Sequence, residues 1–268
     1  MVLHDVRVLD SVTQIHEDGH TVVVGASHGA EYAGYLAAKL GASGVVLNDA
    51  GVGMDDAGIG ALPYLADLDI AAATVSHESA RIGDGLDCLR RGAISAVNDV
   101  AADRGAVVGQ SALECARAIH PRRAVTPPDI PDRTQSVTLL EDGDPPVWGF
   151  DSLSLVEAAH EGAIAITGSH GERLAGERES YLRTDVKAAT FFDAGVGADG
   201  AGIGRLDTLE EREIPAGAVD VDSARIGDAR SAWETGRLSH VNERAADCGV
   251  DPGADLPSFV AAVRRHLE

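Results

Sequence analysis

The chain has 268 residues, enough for one large domain or two modest ones, and a formal net charge of −21 with a sequence pI near 4.7. This charge repels the phosphates of nucleic acids and the headgroups of anionic membranes, so neither is an expected partner. Lys39 and Lys187 are the only lysines among 22 basic residues, and with the acidic excess this is typical of halophilic proteins, whose charges are screened by molar salt.

The first ten residues, MVLHDVRVLD, lack the basic segment and apolar run of a signal peptide. No apolar stretch approaches the ~20 residues that a membrane-spanning helix needs. The three cysteines, Cys88, Cys115 and Cys248, are odd in number and have no CxxC spacing, which indicates free thiols in a reducing compartment. The sequence therefore predicts a cytoplasmic protein.

The first 120 residues alternate short apolar runs with stretches of helical periodicity. Thr21–Gly25 is a β-branched run without polar interruption, as expected of a strand that is buried on both faces. From Ala30 to Leu40, small and apolar residues recur at helical spacing, and Gly41 is a usual helix end. The further predicted elements are a strand at Gly44–Leu47, a helix at about 56–67, a strand at Ile70–Val75 and a helix at about Ile94–Asp103.

A proline-rich segment, His120–Pro131, predicts a linker, and the apolar runs Ser136–Leu140 and Pro146–Phe150 predict a hairpin. A second series of elements follows. Its predicted strands are Ala163–Ile166, Ala188–Phe192 and Ala216–Val219, and its predicted helices end at about Leu182 and Glu213, with a last one from about Leu238 to Ala246. Strands that alternate with helices predict parallel sheets with helices on both faces.

Three phrases occur twice in the same order. We call them the Ser-His-Gly phrase (27–29 and 169–171), the glycine-rich phrase (49–60 and 193–204) and the arginine phrase (79–84 and 223–228). The second copy lies 142 residues after the first for the Ser-His-Gly phrase and 144 residues after it for the other two. This period is too long for a solenoid. We therefore predict an internal duplication with a first α/β repeat (1–120), a linker and hairpin (121–150) and a second α/β repeat (151–268), each repeat forming a Rossmann-like three-layer αβα half.

All three phrases directly follow predicted strands, and ligands of parallel sheets bind outside the carboxyl ends of the strands. The run from Gly25 to Gly29 matches G-x-S-x-G between a strand and a helix, and it resembles the nucleophile elbow of α/β-hydrolases over these residues alone. The resemblance implies Ser27 as a nucleophile, with Ser169 as its counterpart near a ligand. The alternative is that both serines cap the following helix.

His28 and His170 are the only histidines that coincide between the two copies. A helix N-terminus beside them would keep them neutral and ready to act as bases or ligands, although a hydrogen-bonded turn histidine is the alternative. Asp49 and Asp193 end the next strand. Since neighbouring strands lie about 4.8 Å apart, we expect His28–Asp49 and His170–Asp193 acid–base pairs, and an Asx turn at each aspartate is compatible with them.

The glycines of the glycine-rich phrase would let backbone amides approach an anion. The glycines concerned are Gly51, Gly53, Gly195 and Gly197. Arg81 and Arg225 offer fork-like donors for a carboxylate or phosphate, or else form internal salt bridges. The other candidate ligand contacts of the arginine phrase are Ser79, Asp84, Ser223 and Asp228, and Ser95 with Asn98, like Ser239 with Asn242, is expected on one helix face.

These residues predict a cytosolic enzyme that acts on a small anionic metabolite by a hydrolytic or lyase-type step. The alternative is a non-catalytic small-molecule binding or sensor protein with the same crevices, and a third interpretation is a purely structural duplication. A homo-oligomer is compatible with each of them. His28, Asp49 and His77 could ligate a metal, but their spacing matches no metal motif, so metal and cofactor stay unassigned.

Overall fold

The computed structural model of the chain describes residues 6–15, 21–121, 129–173, 182 and 184–268. These residues form two mostly parallel sheets, of five and six strands, flanked by helices. The predicted α/β class with two Rossmann-like halves is therefore confirmed. The predicted helix that ends near Leu182 and residues 122–128 of the proline-rich linker lie outside the described residues.

The strands of the first sheet follow one another across the sheet in chain order. They are β1 (Val6–Leu9), β2 (Val22–His28), β3 (Gly44–Asn48), β4 (Ala71–Val75) and β5 (Ile94–Val97). β1 to β4 are parallel and β5 is antiparallel to β4. Since the order does not reverse among these strands, the carboxyl ends of β2, β3 and β4 form one continuous edge.

Helices cover both faces of the first sheet. They are α1 (Glu31–Lys39), α2 (Ala61–Ala66), α3 (Gly85–Arg91), α4 (Asp99–Asp103) and α5 (Ala112–Ala118), with 3-10 turns at Val12–Gln14 and Met54–Ile59. Val23 and Val45 pack with residues of α1 and α2, whereas Val22 and Val24 pack with residues of α3 and α5. Burial on both faces explains why these strands read as unbroken apolar runs.

The second sheet repeats this arrangement and adds one strand. Its strands are β6 (Val137–Glu141), β7 (Val147–Phe150), β8 (Ile164–His170), β9 (Ala188–Phe192), β10 (Ala216–Val219) and β11 (Leu238–Val241). Its helices are α6 (Arg205–Glu211), α7 (Ala229–Thr235), α8 (Glu243–Asp247) and α9 (Leu256–Leu267), with 3-10 turns at Leu153–Leu155, Ala158–His160 and Ala198–Ile203.

The hairpin expected between the halves forms as β6 and β7 and belongs to the second sheet. β7 pairs in parallel with β8, as β1 pairs with β2 in the first sheet. β6 lies outside β7, antiparallel to it, and is the strand that the first sheet lacks. None of the helices in the described ranges is long and apolar enough to cross a membrane.

The helices predicted at about Ile94–Asp103 and Leu238–Ala246 are wrong in their first turns. Each segment begins as a strand, β5 or β11, and becomes helical only afterwards, as α4 or α8. Both strands are antiparallel edge strands of four residues, and such short runs carry too few periods to separate strand from helix.

An asparagine marks the change from strand to helix in each half. The Asn98 side chain accepts hydrogen bonds from the backbone N–H of Ala101, which caps α4, and from that of Ala72 in β4. Asn242 makes the equivalent bonds in the second half. Ser95 lies on β5, so Ser95 and Asn98 do not share a helix face. The Asn98 side chain makes hydrogen bonds to backbone groups and is not placed to contact a ligand.

Candidate functional site

The two copies of the glycine-rich phrase meet each other where the halves are in contact. A Cβ atom added to Gly51 would lie 3.0 Å from the Cα atom of Gly195, and one added to Gly195 would lie 2.9 Å from the Cα atom of Gly51. Met54 N–H donates to the Val221 carbonyl (2.9 Å), and Ala198 N–H donates to the His77 carbonyl (2.7 Å). These two bonds are related by the 144-residue offset, as in the isologous interface of a two-fold symmetric dimer.

The backbone of the glycine-rich phrase turns through an unusual left-handed run. Ala50, Gly51, Val52 and Gly53 have φ values of 48°, 82°, 62° and 68°, and the second copy has nearly the same values. A positive φ is costly for a β-branched residue such as Val52. Both halves keep this strained turn, which lets two backbones approach closely at the glycines.

The amides that were predicted to bind an anion donate within their own loop. Ala50 N–H donates to the Asn48 side chain, Gly51 N–H to the Asp49 carboxylate and Gly53 N–H to the Gly51 carbonyl. The second copy has the equivalent bonds from Gly195 and Gly197. The structure therefore assigns these glycines to a turn and to the contact between the halves.

Asp49 pairs with His77, not with His28. His77 Nδ1 lies 2.8 Å from Asp49 Oδ1, and that oxygen also accepts from the His77 N–H. Burial raises the pKa of Asp49, but the hydrogen bonds from His77 outweigh it, so this pKa is lowered overall. The hydrogen bond to Asp49 raises the pKa of His77 against the opposing effect of burial. The expected His28–Asp49 pair is thus replaced by an Asp49–His77 pair.

Asp193, the counterpart of Asp49, has no histidine beside it. Val221 takes the place of His77, and Ser239 donates to Asp193 Oδ2 at 2.6 Å. Burial raises the pKa of Asp193, and the hydrogen bonds that it accepts only partly oppose this. The structure shows no His170–Asp193 hydrogen bond among the described residues, so neither expected acid–base pair forms.

His28 and His170 face each other across the contact between the halves. Their ring centroids are 6.3 Å apart in an edge-to-face arrangement. Burial lowers the pKa of His28 to about 4, and burial, with His28 and Arg205 nearby, lowers the pKa of His170 well below its usual value. Both rings are therefore neutral at pH 7. His28 Nδ1 is buried and has no hydrogen-bond partner among the described residues, whereas His170 Nδ1 accepts from Glu172 N–H.

Glu172 and Arg205 lie beside His170, and two further guanidinium groups lie near Glu172. Glu172 follows His170 by two residues, and burial raises its pKa while Arg173, Arg205 and Arg81 act to lower it. Arg205 is buried, donates to the Glu172 carbonyl and stacks on the Phe191 ring at 5.2 Å. Glu172 and Arg205 were missed from the sequence, since the first copy has alanine at both positions, Ala30 and Ala61.

The arginine phrase of each half packs on the Ser-His-Gly phrase of the other half. A Cβ atom added to Gly227 would lie 3.5 Å from His28 Cε1, and one added to Gly83 would lie 3.0 Å from Glu172 Cγ. Within its own half, Gly83 N–H donates to the Ala26 carbonyl. All three repeated phrases therefore lie at the contact between the halves, and their identity between copies has a structural reason.

Arg81 and Arg225 form the salt bridges that were the alternative to ligand binding. Arg81 Nη2 lies 2.6 Å from Asp84 Oδ2, and Arg225 lies 3.3 Å from both Asp228 and Asp55, the latter in the other half. Each aspartate of the phrase also caps the helix that follows it. Ser79 and Ser223 hold the loops by accepting backbone N–H groups from Ala93 and Arg237, respectively.

Ser27 and Ser169 have backbone partners. Ser27 Oγ accepts from Val12 N–H at 3.1 Å, and Ser169 Oγ accepts from Leu153 N–H at 2.9 Å. Neither hydroxyl makes a hydrogen bond to a histidine among the described residues. Both serines thus fix the 3-10 turn that precedes their strand, instead of capping the helix that follows, and an activated nucleophile would need a base that this arrangement does not provide.

Within the described ranges, no group of three or more His, Cys, Asp or Glu side chains is placed to hold a metal ion, so His28, Asp49 and His77 do not form the metal site considered from the sequence. All three cysteines are free. Comparison of the chain with protein-family models, with curated proteins and with solved structures gave no match. A functional assignment of the chain therefore rests on the geometry of this site.

Proposed function

We propose that the chain is an enzyme that acts on a small anionic metabolite where the two halves meet, by proton transfer in a lyase-type or hydrolytic step. The observation that carries the proposal is the buried pair His28 and His170. An unpartnered buried ring nitrogen costs about 1–3 kcal/mol, and a ligand that donates a proton to His28 Nδ1 would recover this cost.

The protonation states support a base and an acid in one place. A neutral His28 has a free lone pair at pH 7, because its lowered pKa keeps the ring unprotonated. Glu172 holds its proton more readily than an exposed glutamate, because burial raises its pKa. We assign His28 as the general base and Glu172 as the general acid. The His170 ring packs edge-to-face with the His28 ring.

The surroundings favour an anionic substrate. Three arginines lie close enough to Glu172 to act on its pKa, in a chain whose overall charge is strongly negative. The Arg81 side chain is 42 % exposed and can be reached from solvent, although its Nη2 pairs with Asp84 and its buried Nε lies 3.8 Å from Asp87 Oδ2. A carboxylate or phosphate would add an acceptor for the exposed part of this guanidinium group.

A ligand screen followed by proton exchange tests the proposal. Short mono- and dicarboxylates and phosphate monoesters are screened by thermal shift at fixed high salt, and those that bind are incubated with the enzyme in D2O. We expect at least one ligand to raise the melting temperature and then either to exchange a carbon-bound proton for deuterium or to be cleaved. Proton NMR detects both outcomes. His28→Gln should abolish the exchange, and Arg81→Gln should weaken binding by about 1.5–3 kcal/mol.

Arg225→Gln is the matched control, because Arg225 is the equivalent arginine in the second half and does not lie beside Glu172. It should leave binding and exchange unchanged. If no carboxylate or phosphate binds, the proposal fails. If ligands bind through Arg81 but neither exchange a proton nor are cleaved, the result supports the alternative, a non-catalytic small-molecule binding or sensor protein.

A further inference from the structure

The second half has a cavity of about 510 Å³ at the end of its sheet opposite to the histidine pair. It lies beside the residues that precede β9 and β10 and beside the ends of α8 and α9. Its lining includes Val186, Lys187, Ile214, Asp247, Cys248 and Val263. None of these residues takes part in the proposed reaction.

The equivalent position in the first half is occupied by an arginine side chain. Cys248 corresponds to Arg104 at the 144-residue offset, and Val263 corresponds to Ile119. Arg104 Nη1 donates to the carbonyls of Ile119 (2.9 Å) and Ser43 (3.4 Å). The first half therefore carries its own guanidinium group where the second half has a cavity.

We propose that the cavity of the second half is a binding site for an alkyl guanidinium ligand, which would take the place that Arg104 fills in the first half. The carbonyl of Lys187 corresponds to that of Ser43. Since α9 continues beyond Val263 to Leu267, the second acceptor differs from that of the first half. The Asp247 carboxylate, which also lines the cavity, supplies it.

The charges around the cavity agree with a cation. Its two arginines are already neutralised, Arg212 by Asp185 and Arg244 by Glu210 and Glu213. Lys187 and His266 are exposed, so solvent screens their repulsion. Asp247 is exposed as well, so a ligand must cover this carboxylate before its attraction exceeds the screened repulsion, and it makes no ion pair with another described residue.

The test uses propylguanidinium as the probe and propylurea, which has nearly the same shape and no charge, as the control ligand. Titration calorimetry of the full chain at fixed salt should show binding of propylguanidinium and none of propylurea. Cys248→Arg should abolish binding because the new side chain fills the cavity, whereas Cys248→Ala should leave it intact. Asp247→Asn should weaken binding about tenfold or more, the worth of a charged hydrogen bond.

The converse variant, Arg104→Cys, should add a second binding site in the first half, seen as an increased stoichiometry. Equal binding of propylurea, stronger binding of inorganic phosphate than of propylguanidinium, or unchanged binding in both Cys248→Arg and Asp247→Asn would overturn the proposal. The proposed function is unaffected by these outcomes, since the histidine pair lies at the other end of the strands.

Discussion

Asp49 and Asp193 occupy equivalent positions in the two halves, yet their surroundings differ. Asp49 is ion-paired with His77, and its pKa is lowered, whereas Asp193 lies beside Val221 and Ser239, and its pKa is raised. The backbone around both aspartates is nearly the same. The two halves thus share the turn but differ in the charged and polar groups beside its aspartate.

Positions that are identical in the two halves and positions that differ between them have different roles in the structure. The identical phrases hold turns and bring the halves together, as the meeting of Gly51 and Gly195 shows. The polar residues that one half alone possesses, His77 in the first and Glu172 with Arg205 in the second, set the local electrostatics. Identity between copies therefore marks the turns, the docking surface and the histidine pair, and difference between copies marks a change in local electrostatics.

The largest effect is expected at the contact between the halves. In Gly53→Ala, the new Cβ would lie 2.5 Å from Val221 Cγ2 and 2.6 Å from the Val221 carbonyl oxygen, at a φ of +68°. Steric overlap and a left-handed alanine together should lower the free energy of unfolding by about 2–5 kcal/mol, measured by chemical denaturation at fixed salt.

Two control variants separate overlap from backbone strain. Gly197→Ala should cost less, because its Cβ would meet the His77 carbonyl oxygen at 3.0 Å. Gly105→Ala should cost least, since its Cβ meets nothing within 4 Å and only the positive φ opposes it. Equal losses in all three variants would show that strain alone, and not the meeting of the halves, requires these glycines.

The next effect concerns the ion pair that only the first half has. His77→Val copies the second half and removes a charged hydrogen bond of about 1.5–3 kcal/mol. The pKa of His77 is raised in the folded state, so its contribution is complete below the unfolded value of about 6.5 and is lost as pH rises through the folded value. The stability deficit of the variant should therefore be larger at pH 6 than at pH 9.

Denaturation curves at the two pH values measure this difference. The carboxylates that act on the pKa of His77 are Asp49, Glu78 and Asp193. A deficit that is the same at both pH values would mean that His77 contributes by packing on Gly195 alone.

The smallest effect is expected at the equivalent arginines. The side chains of Arg81 and Arg225 are 42 % and 50 % exposed, so their salt bridges are screened and each Arg→Gln change should cost about 1 kcal/mol or less. The loss should shrink further in 2 M KCl, where the Debye length is below about 3 Å. A loss of several kcal/mol in either variant is the behaviour of a buried ion pair. It would contradict the salt-bridge energy inferred from the exposure of these side chains.

The sheets could be predicted from the sequence because burial on both faces demands unbroken apolar runs, as in Val22–Val24 and Ala188–Phe192. The pairing of Asp49 with His77 could not, because the two residues lie 28 positions apart and meet only through the loop after β4. Spacing along a chain gives no sign of such a contact.

The candidate site was predictable only in part. His28 and His170 were found because they repeat, but their approach to each other depends on how the halves dock, which the sequence does not encode locally. Glu172 and Arg205 were missed for the opposite reason, since a search for identity passes over positions where one copy has alanine. A comparison of small-to-charged replacements between the copies would have revealed both.

The chain-order arrangement of the strands has a consequence for synthesis of the protein. Every strand of the first sheet pairs with the strand made just before it, so loop-closure entropy is low and the sheet can assemble while the ribosome is still adding the linker. At that stage the docking face around Gly51 is complete but uncovered. On a polysome, a neighbouring nascent chain that presents the same turn would compete with β9 and its turn for this face, and docking between the two chains would give a domain-swapped pair.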